Sequence, residues 1–246
     1  MVREIMAGSE VMLFWPGTTA LADPLEKAAL VDLYQTLPPD HDSLIESRIW
    51  YNNGDQNSSM TPAEFLADHE NIDPCGADGG KSLEGVTCIG GHVVALTFGM
   101  ERQAYFRQLP DSFGNLQHLR LYYAFDGFKN DIAIPCSFGN LTKLETLVFS
   151  NYLNTPSRLT FPTDPACMAG LTSLREMTVA VPYQVENFPP ALFGLPQIEI
   201  ISLTGAQVES IPSMGPKFRE LKLLSSGVSG QLPSFKDLTQ LETGNR

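Results

Sequence analysis

The chain has 246 residues, 43% of them hydrophobic, and a formal net charge of −12 at neutral pH. This length and composition are ordinary for a globular protein and allow one large domain or two small ones. The negative charge argues against nucleic acid and anionic membranes as partners, because phosphates would be repelled. No apolar run is long enough to span a bilayer, so the sequence predicts no transmembrane segment.

Residues 1–22 allow two interpretations. An apolar stretch, Val11–Ala22, ends in Ala20-Leu21-Ala22, which resembles the cleavage site of a signal peptide. Two glutamates outweigh the one basic residue before it, and Pro16-Gly17 interrupts it. The segment is therefore either a cleaved signal, which predicts a secreted protein, or a disordered N-terminus, which leaves a cytoplasmic location open.

Residues 23–92 predict a helical cap. Apolar residues recur at helical spacing in Asp23–Leu37, where Asp23 can cap the helix and Pro24 fits its first turn. A second short helix is expected over Thr61–His69, with Asn52–Ser59 as a polar loop between the two.

From residue 93 onward the chain repeats itself. An apolar residue followed by proline recurs every 21 to 27 residues. After most of these pairs comes a short stretch that contains Gly-x-Leu or a similar pair. An alternating apolar run of the form L-x-x-L-x-L then follows. Alternation predicts a half-buried strand, and a period of this length is typical of a solenoid, in which stacked copies share one core. The six pairs are Leu109-Pro110, Ile134-Pro135, Phe161-Pro162, Phe188-Pro189, Ile211-Pro212 and Leu232-Pro233.

The repeats resemble plant-type leucine-rich repeats, and Asp73-Pro74-Cys75 with Gly85-Val86-Thr87-Cys88 resembles the N-terminal cap of that family. The resemblance implies an α/β repeat fold: a solenoid with a parallel sheet on its concave face, loops and short 3-10 turns on its convex face, and a helical cap. It also implies about six repeats over residues 93–246, truncated at the C-terminus, and a disulfide between Cys75 and Cys88. Cys136 and Cys167 occupy similar places in adjacent turns, and they either bond or are two small buried residues.

The sequence departs from the family in three places. The Asn that follows each strand in the family is mostly replaced, so the turns must satisfy their backbone groups differently. Asn151–Pro165 is longer than one turn needs and is expected to form a loop. The register of the second strand leaves either Tyr122 or Tyr123 facing outward.

In such a fold, the outward residues of the strands form the candidate binding surface, and Tyr122 is the preferred anchor because aromatic residues dominate interface energies. By analogy with receptor ectodomains and secreted inhibitors of the family, this surface would bind a protein, peptide or glycan without catalysis. A structural or cell-wall scaffold and, more remotely, an enzyme are the alternatives. The candidates are Ala95, Thr97, Tyr122, Thr146, Val148, Ser150, Glu176, Thr178, Ala180, Ile200, Ser202, Thr204, Glu220, Lys222 and Leu224.

No catalytic motif and no cofactor-binding motif is present, so neither a catalytic residue nor a cofactor is expected. Cys75, Cys88 and His92 could supply part of a zinc site, but a fourth ligand at suitable spacing is missing, so no metal site is predicted. Asn57 and Asn140 begin N-glycosylation triplets. The sequence does not indicate an oligomeric state.

Overall fold

A computed structural model describes residues 20–37, 49–53, 56–77, 82–98, 106, 108–125, 131–150, 158–208, 210–211, 213–224 and 226–228. The possible signal segment before residue 20 and the last predicted repeat, beyond residue 228, lie outside this range. The division of the chain at residues 22 and 92 stays a prediction.

The N-terminal part contains the two expected helices. Helix α1 spans Pro24–Gln35, and its cap Asp23 accepts hydrogen bonds from the N–H groups of the second and third following residues. Helix α2 spans Pro62–Asp68 and begins with a capping box, in which Thr61 and Glu64 satisfy each other's backbone N–H groups. The prediction that Asp23 caps the first helix is confirmed, and so is the presence of the second short helix.

The expected polar loop over Asn52–Ser59 is wrong. Strands β1 (Ile49–Asn53) and β2 (Gln56–Met60) pair antiparallel, with Asn53 opposite Gln56, and the short β3 (Ser82–Leu83) pairs with β1. Only two residues, Gly54 and Asp55 of the sequence, separate the paired strands, and Gly-Asp between two strands is a sequence signal for such a hairpin. The polar composition of this segment suggested a loop, whereas the two-residue turn between its halves would have indicated a hairpin.

The rest of the described chain builds a curved, mostly parallel sheet. Within the described residues, β4 pairs antiparallel with β5, and from β5 onward each repeat adds one parallel strand in the order β5-β6-β8-β10-β11-β12. The strands are β4 (Val86–Ile89), β5 (His92–Phe98), β6 (Leu121–Phe125), β7 (Ile132–Ala133), β8 (Thr146–Ser150), β9 (Arg158–Thr160), β10 (Glu176–Glu186), β11 (Ile200–Val208), β12 (Glu220–Leu224) and β13 (Gly227–Val228).

The L-x-x-L-x-L positions fill the core, as the repeat predicts. In the third copy Leu144, Leu147 and Phe149 are all buried, and in every described copy except the last all three equivalent positions are buried. After three of the six apolar-proline pairs comes a short 3-10 segment whose phenylalanine packs inward, with Phe113 stacked on Phe138 at 5.5 Å between ring centroids. The core is therefore a continuous stack running from one turn to the next.

The glycine of the repeated phrase permits the close stacking of turns. A Cβ atom built on Gly139 would lie well inside contact distance of the carbonyl oxygen of Cys167 in the next turn. A Cβ atom on Gly170 would meet the Gly139 carbonyl oxygen in the same way. At these two positions, the backbones of successive turns touch where any other residue would place a side chain.

In some turns, short strand pairings outside the main sheet provide hydrogen-bond partners for the backbone groups that the family's Asn would otherwise bind. Strand β9 pairs in parallel with β7 and with the end of β10, and β13 pairs with β11. Ser226, which occupies one of the lost Asn positions, accepts a hydrogen bond from the Ala206 N–H and can donate to the carbonyl of Leu203. The expectation that these turns satisfy their backbone groups differently is thus confirmed for this turn.

All four cysteines are bonded. Cys75 bonds Cys88, as the family resemblance implied, and ties the cap loop to β4. Cys136 bonds Cys167, which decides the alternative that the sequence left open. The second bridge joins the 3-10 segments Cys136–Asn140 and Pro165–Met168 of consecutive turns.

Candidate functional site

The candidate site is the concave face, defined here as the sheet side chains from β5 to β12 that do not enter the core. The strands pair in strict register, so Thr146 lies beside Glu176, which lies beside Ile200, which lies beside Glu220. The next outward row contains Val148, Thr178, Ser202 and Lys222. Residues about two dozen apart in sequence therefore form continuous rows across the strands.

Twelve of the fifteen sequence candidates reach the surface of this face. Four are exposed, and eight are half-buried, as expected for side chains flanked by neighbouring strands. The exposed four are Thr97, Glu176, Lys222 and Leu224, and the half-buried eight are Thr146, Val148, Thr178, Ala180, Ile200, Ser202, Thr204 and Glu220. The remaining three, Ala95, Tyr122 and Ser150, are buried. The burial of the twelve shows where they lie, and their role in binding stays a prediction.

Tyr122 is not on the concave face, so its assignment as the surface anchor is wrong. Its side chain is 0% exposed and packs edge-on against Phe113 and Phe149, at 5.2 and 5.5 Å between ring centroids. The reason is register: Tyr122 pairs with the buried Leu147, whereas Tyr123 pairs with Val148 on the outward row. Tyr123 is the aromatic residue that this face presents, half-buried between its neighbours.

Burial raises the pKa of the Tyr122 hydroxyl far above its ordinary value, because the phenolate would have no water around it. Among the described residues, the hydroxyl oxygen finds no hydrogen-bond partner. This tyrosine is therefore part of the core, where it carries an unsatisfied polar atom.

Ser150 is the second candidate that the structure removes from the surface. It is 4% exposed, and its hydroxyl makes no hydrogen bond within the described part of the chain. The side chain is short and its strand is flanked on both sides, in register with Phe125 of β6 and Ala180 of β10, so little of it reaches solvent.

A ladder of alternating charges borders the concave face, and the sequence analysis missed it. From the second repeat to the sixth, the residue just after the first core position is charged, and its sign alternates from strand to strand. Glu145 lies 3.7 Å from Arg120, and Glu199 lies 3.6 Å from Arg175 and 3.2 Å from Arg219. Backbone bonds of 2.8–2.9 Å between successive rungs hold the register. The five rungs are Arg120, Glu145, Arg175, Glu199 and Arg219.

Within the described residues, one group brings metal-ligating atoms together. Glu26 of α1, His92 of β5 and His118 of the turn before β6 each place one such atom within 4.8 Å of the other two. Sequence spacing gave no sign of this group, because its members are 66 and 26 residues apart and meet only when the cap helix packs on the first two repeats. The other zinc alternative is removed, since Cys75 and Cys88 are bonded to each other.

The two glycosylation candidates differ in what the structure describes. Asn140 is exposed at the end of its 3-10 segment. Asn57 lies on β2, and its side chain is outside the described atoms. Modification of either residue stays a prediction.

No family model matches the chain, and no curated protein matches it. Twenty chains of solved structures do. One belongs to the crystal structure of PEPR1-AtPEP1, with a TM-score of 0.50 and 20% identity over 85% of this chain. The fold is leucine-rich-repeat-like.

This leucine-rich-repeat-like chain spans 26% of the length of the PEPR1-AtPEP1 chain that it matches. At this level of identity, the similarity concerns the fold. In the described part of the chain, no helix has the length and apolar character required to cross a membrane.

Proposed function

We propose that this chain is a non-catalytic recognition protein that binds a protein, peptide or glycan through its concave face. The observation that carries the proposal is the register of the sheet, which aligns small and mostly uncharged side chains into rows across successive strands. The similar solved structure is of PEPR1 together with AtPEP1, which is in keeping with a role in binding.

The dimensions of the face favour an extended ligand. Parallel strands lie about 4.8 Å apart, so the strands from β5 to β12 span about 24 Å. A polypeptide in extended conformation covers about 3.4 Å per residue, so about seven residues can cross the whole face. An extended ligand that crosses the face in this way would lie along the outward rows, because these rows also run perpendicular to the strands.

The chemistry of the face favours hydrogen bonding and close packing over charge recognition. The central positions Val148, Thr178 and Ser202 carry no charge, and their short side chains leave the sheet accessible to a ligand backbone. The charges at the border pair with one another along the ladder, which leaves alternating signs for polar contacts at one edge. Tyr123 supplies an aromatic contact near the N-terminal end of the face.

The disulfides support a secreted or extracellular location. All four cysteines are bonded, and disulfides persist mainly in oxidising compartments. We propose this location independently of whether residues 1–22 are a cleaved signal.

The test is a selection of ligands followed by a matched pair of variants. The purified chain is screened against a displayed library of random peptides and against a glycan array, and the selected ligands are titrated against Thr178→Arg and Ala191→Arg. Thr178 is at the centre of the concave face, whereas Ala191 is exposed in the 3-10 segment Pro190–Gly194, away from the sheet.

We expect Thr178→Arg to weaken binding at least about tenfold, because a long charged side chain would cover the central rows. Ala191→Arg should bind like the unchanged chain, and circular dichroism should show both variants folded. Ligands that bind both variants equally would exclude the concave face, and a screen that yields no ligand would favour the scaffold alternative.

A further inference from the structure

Glu26 is a buried carboxylate at the junction between the cap helix and the solenoid. Its side chain is 3% exposed, and its Oε2 accepts a hydrogen bond of 2.6 Å from the Val93 N–H at the start of β5. A buried carboxylate is costly unless it is paired, so the position of its second oxygen is informative. That oxygen, Oε1, faces two imidazoles.

The two imidazoles converge on this one oxygen. His118 Nδ1 lies 3.0 Å from Oε1, and His92 Nδ1 lies 3.4 Å from it. The rings are stacked, with centroids 3.8 Å apart and planes at 24°. His92 Nδ1 is enclosed and makes no hydrogen bond with any described residue, so Glu26 Oε1 at 3.4 Å is the polar atom that it faces.

The two nitrogen–oxygen separations, 3.0 and 3.4 Å, are close to the edge lengths of a metal coordination shell, and the shorter one is also a hydrogen-bond distance. A tetrahedral ion with bonds of 2.0 to 2.2 Å to nitrogen and oxygen keeps its ligand atoms about 3.3 to 3.6 Å apart. In the stacked arrangement the two nitrogen lone pairs run side by side, so binding requires the rings to turn towards a common point. Their side chains are 39% and 36% exposed, which gives both rings room on the solvent side to turn.

We propose that Glu26 Oε1, His92 Nδ1 and His118 Nδ1 bind one divalent transition-metal ion of the zinc type. Two imidazoles and one carboxylate are a donor set that suits zinc, whereas magnesium and calcium prefer oxygen ligands. The Val93 N–H holds the other carboxylate oxygen and so orients Glu26, a common second contact around metal ligands. Because the partly exposed imidazoles border solvent, water can complete the coordination.

An ion bound in this way would connect three parts of the fold. Its ligands come from α1, from the first strand of the solenoid and from the turn that leads into the second strand. An ion bound by all three stabilises the docked cap, because it binds the folded junction and finds no such arrangement in the unfolded chain. This proposal does not depend on the concave face or on its ligand.

The experiment titrates the full chain with ZnCl₂ by calorimetry, with MgCl₂ and CaCl₂ as separate arms. We expect one zinc ion per chain and no saturable heat from magnesium or calcium. His118→Ala and His92→Ala should each weaken zinc binding at least about tenfold, whereas His69→Ala should not change it. His69 is the matched control because it lies on the cap at the end of α2, apart from the group.

Two further measurements separate metal binding from simple loss of structure. Zinc should raise the melting temperature of the unchanged chain and of His69→Ala, but not that of His118→Ala, whose circular dichroism without metal should be unchanged. Co²⁺ bound in place of zinc should give the visible absorption of a four-coordinate site. The proposal is overturned if the unchanged chain binds no zinc saturably, or if His118→Ala and His69→Ala bind it equally.

Discussion

Replacing Tyr122 with phenylalanine should stabilise the protein. The side chain is fully buried among aromatic rings, and no described residue offers its enclosed hydroxyl oxygen a hydrogen bond. Leaving such a group unsatisfied costs about 1 to 3 kcal/mol, and removing it sacrifices only the few contacts of one oxygen atom. We expect Tyr122→Phe to raise the free energy of unfolding by about 1 kcal/mol, or the melting temperature by about 2 to 4 °C for a chain of this size.

The measurement is urea unfolding followed by circular dichroism, with Tyr123→Phe as the matched control. Tyr123 is half-buried on the concave face, where its hydroxyl is within reach of water, so its variant should gain no stability over the unchanged chain. Tyr122→Ala should lose about 3 to 5 kcal/mol, because it leaves a cavity the size of an aromatic ring. If Tyr122→Phe is less stable than the unchanged chain by 1 kcal/mol or more, the hydroxyl has a partner and the reasoning is refuted.

Alkaline pH gives a second and independent measurement of the same group. Burial raises the pKa of Tyr122 in the folded state above its unfolded value near 10. Its contribution is thus fully present below pH 10 and declines as pH rises further, by about 1.4 kcal/mol per pH unit. Tyr34, whose pKa is raised by burial and by nearby Glu84, behaves in the same direction. The slope above pH 10 should therefore be shallower in Tyr122→Phe, and an unchanged slope would contradict the assignment.

Three other changes test the stacking of the turns. Gly139→Ala should cost more than about 2 kcal/mol, because its Cβ meets a backbone carbonyl. Among the described atoms, the Cβ of Gly194→Ala meets the Ser213 hydroxyl at 3.2 Å, on a side chain that can rotate, so this variant should cost less. Equal unfolding midpoints would disprove this. Replacing Cys136 and Cys167 together by alanine should cost about 2 to 4 kcal/mol in calorimetry, and a smaller loss would mean that packing alone fixes these turns. Glu199→Gln should cost at most about 1 kcal/mol, with the difference shrinking in high salt, since partly exposed ion pairs contribute little.

The residues of each repeat that face the core could be predicted, because each copy places its apolar residues at fixed distances from a glycine. Tyr122 follows Gly114 at the same interval as Leu147 follows Gly139, and Leu147 is a core position. The sequence could therefore have assigned Tyr122 to the core. The apolar pattern alone was ambiguous there, since Leu121, Tyr122 and Tyr123 are all compatible with a buried position. The glycine fixes the count because it marks the point where backbones touch.

The charge ladder could also be predicted from the sequence once the core positions of each repeat are known. Arg120 and Glu145 each follow the first core leucine of their repeat, and Arg175 follows Leu174 in the same way. The group of Glu26 with its two histidines is different in kind. It depends on how the cap helix docks, and that docking follows from tertiary packing and not from the period of the repeats.

The solenoid architecture makes the two proposed sites separately testable. In a stack of repeats each turn contacts only its neighbours, so a local change acts mainly on adjacent turns. The metal group ends at His118, directly before the second strand of the parallel sheet, whereas Thr178 lies on the fourth, with β8 between them. Loss of zinc binding in His118→Ala should therefore leave the affinity of a concave-face ligand within about twofold. A larger loss would show that cap and concave face are coupled through the stack, and that the cap helps to set the curvature on which the ligand depends.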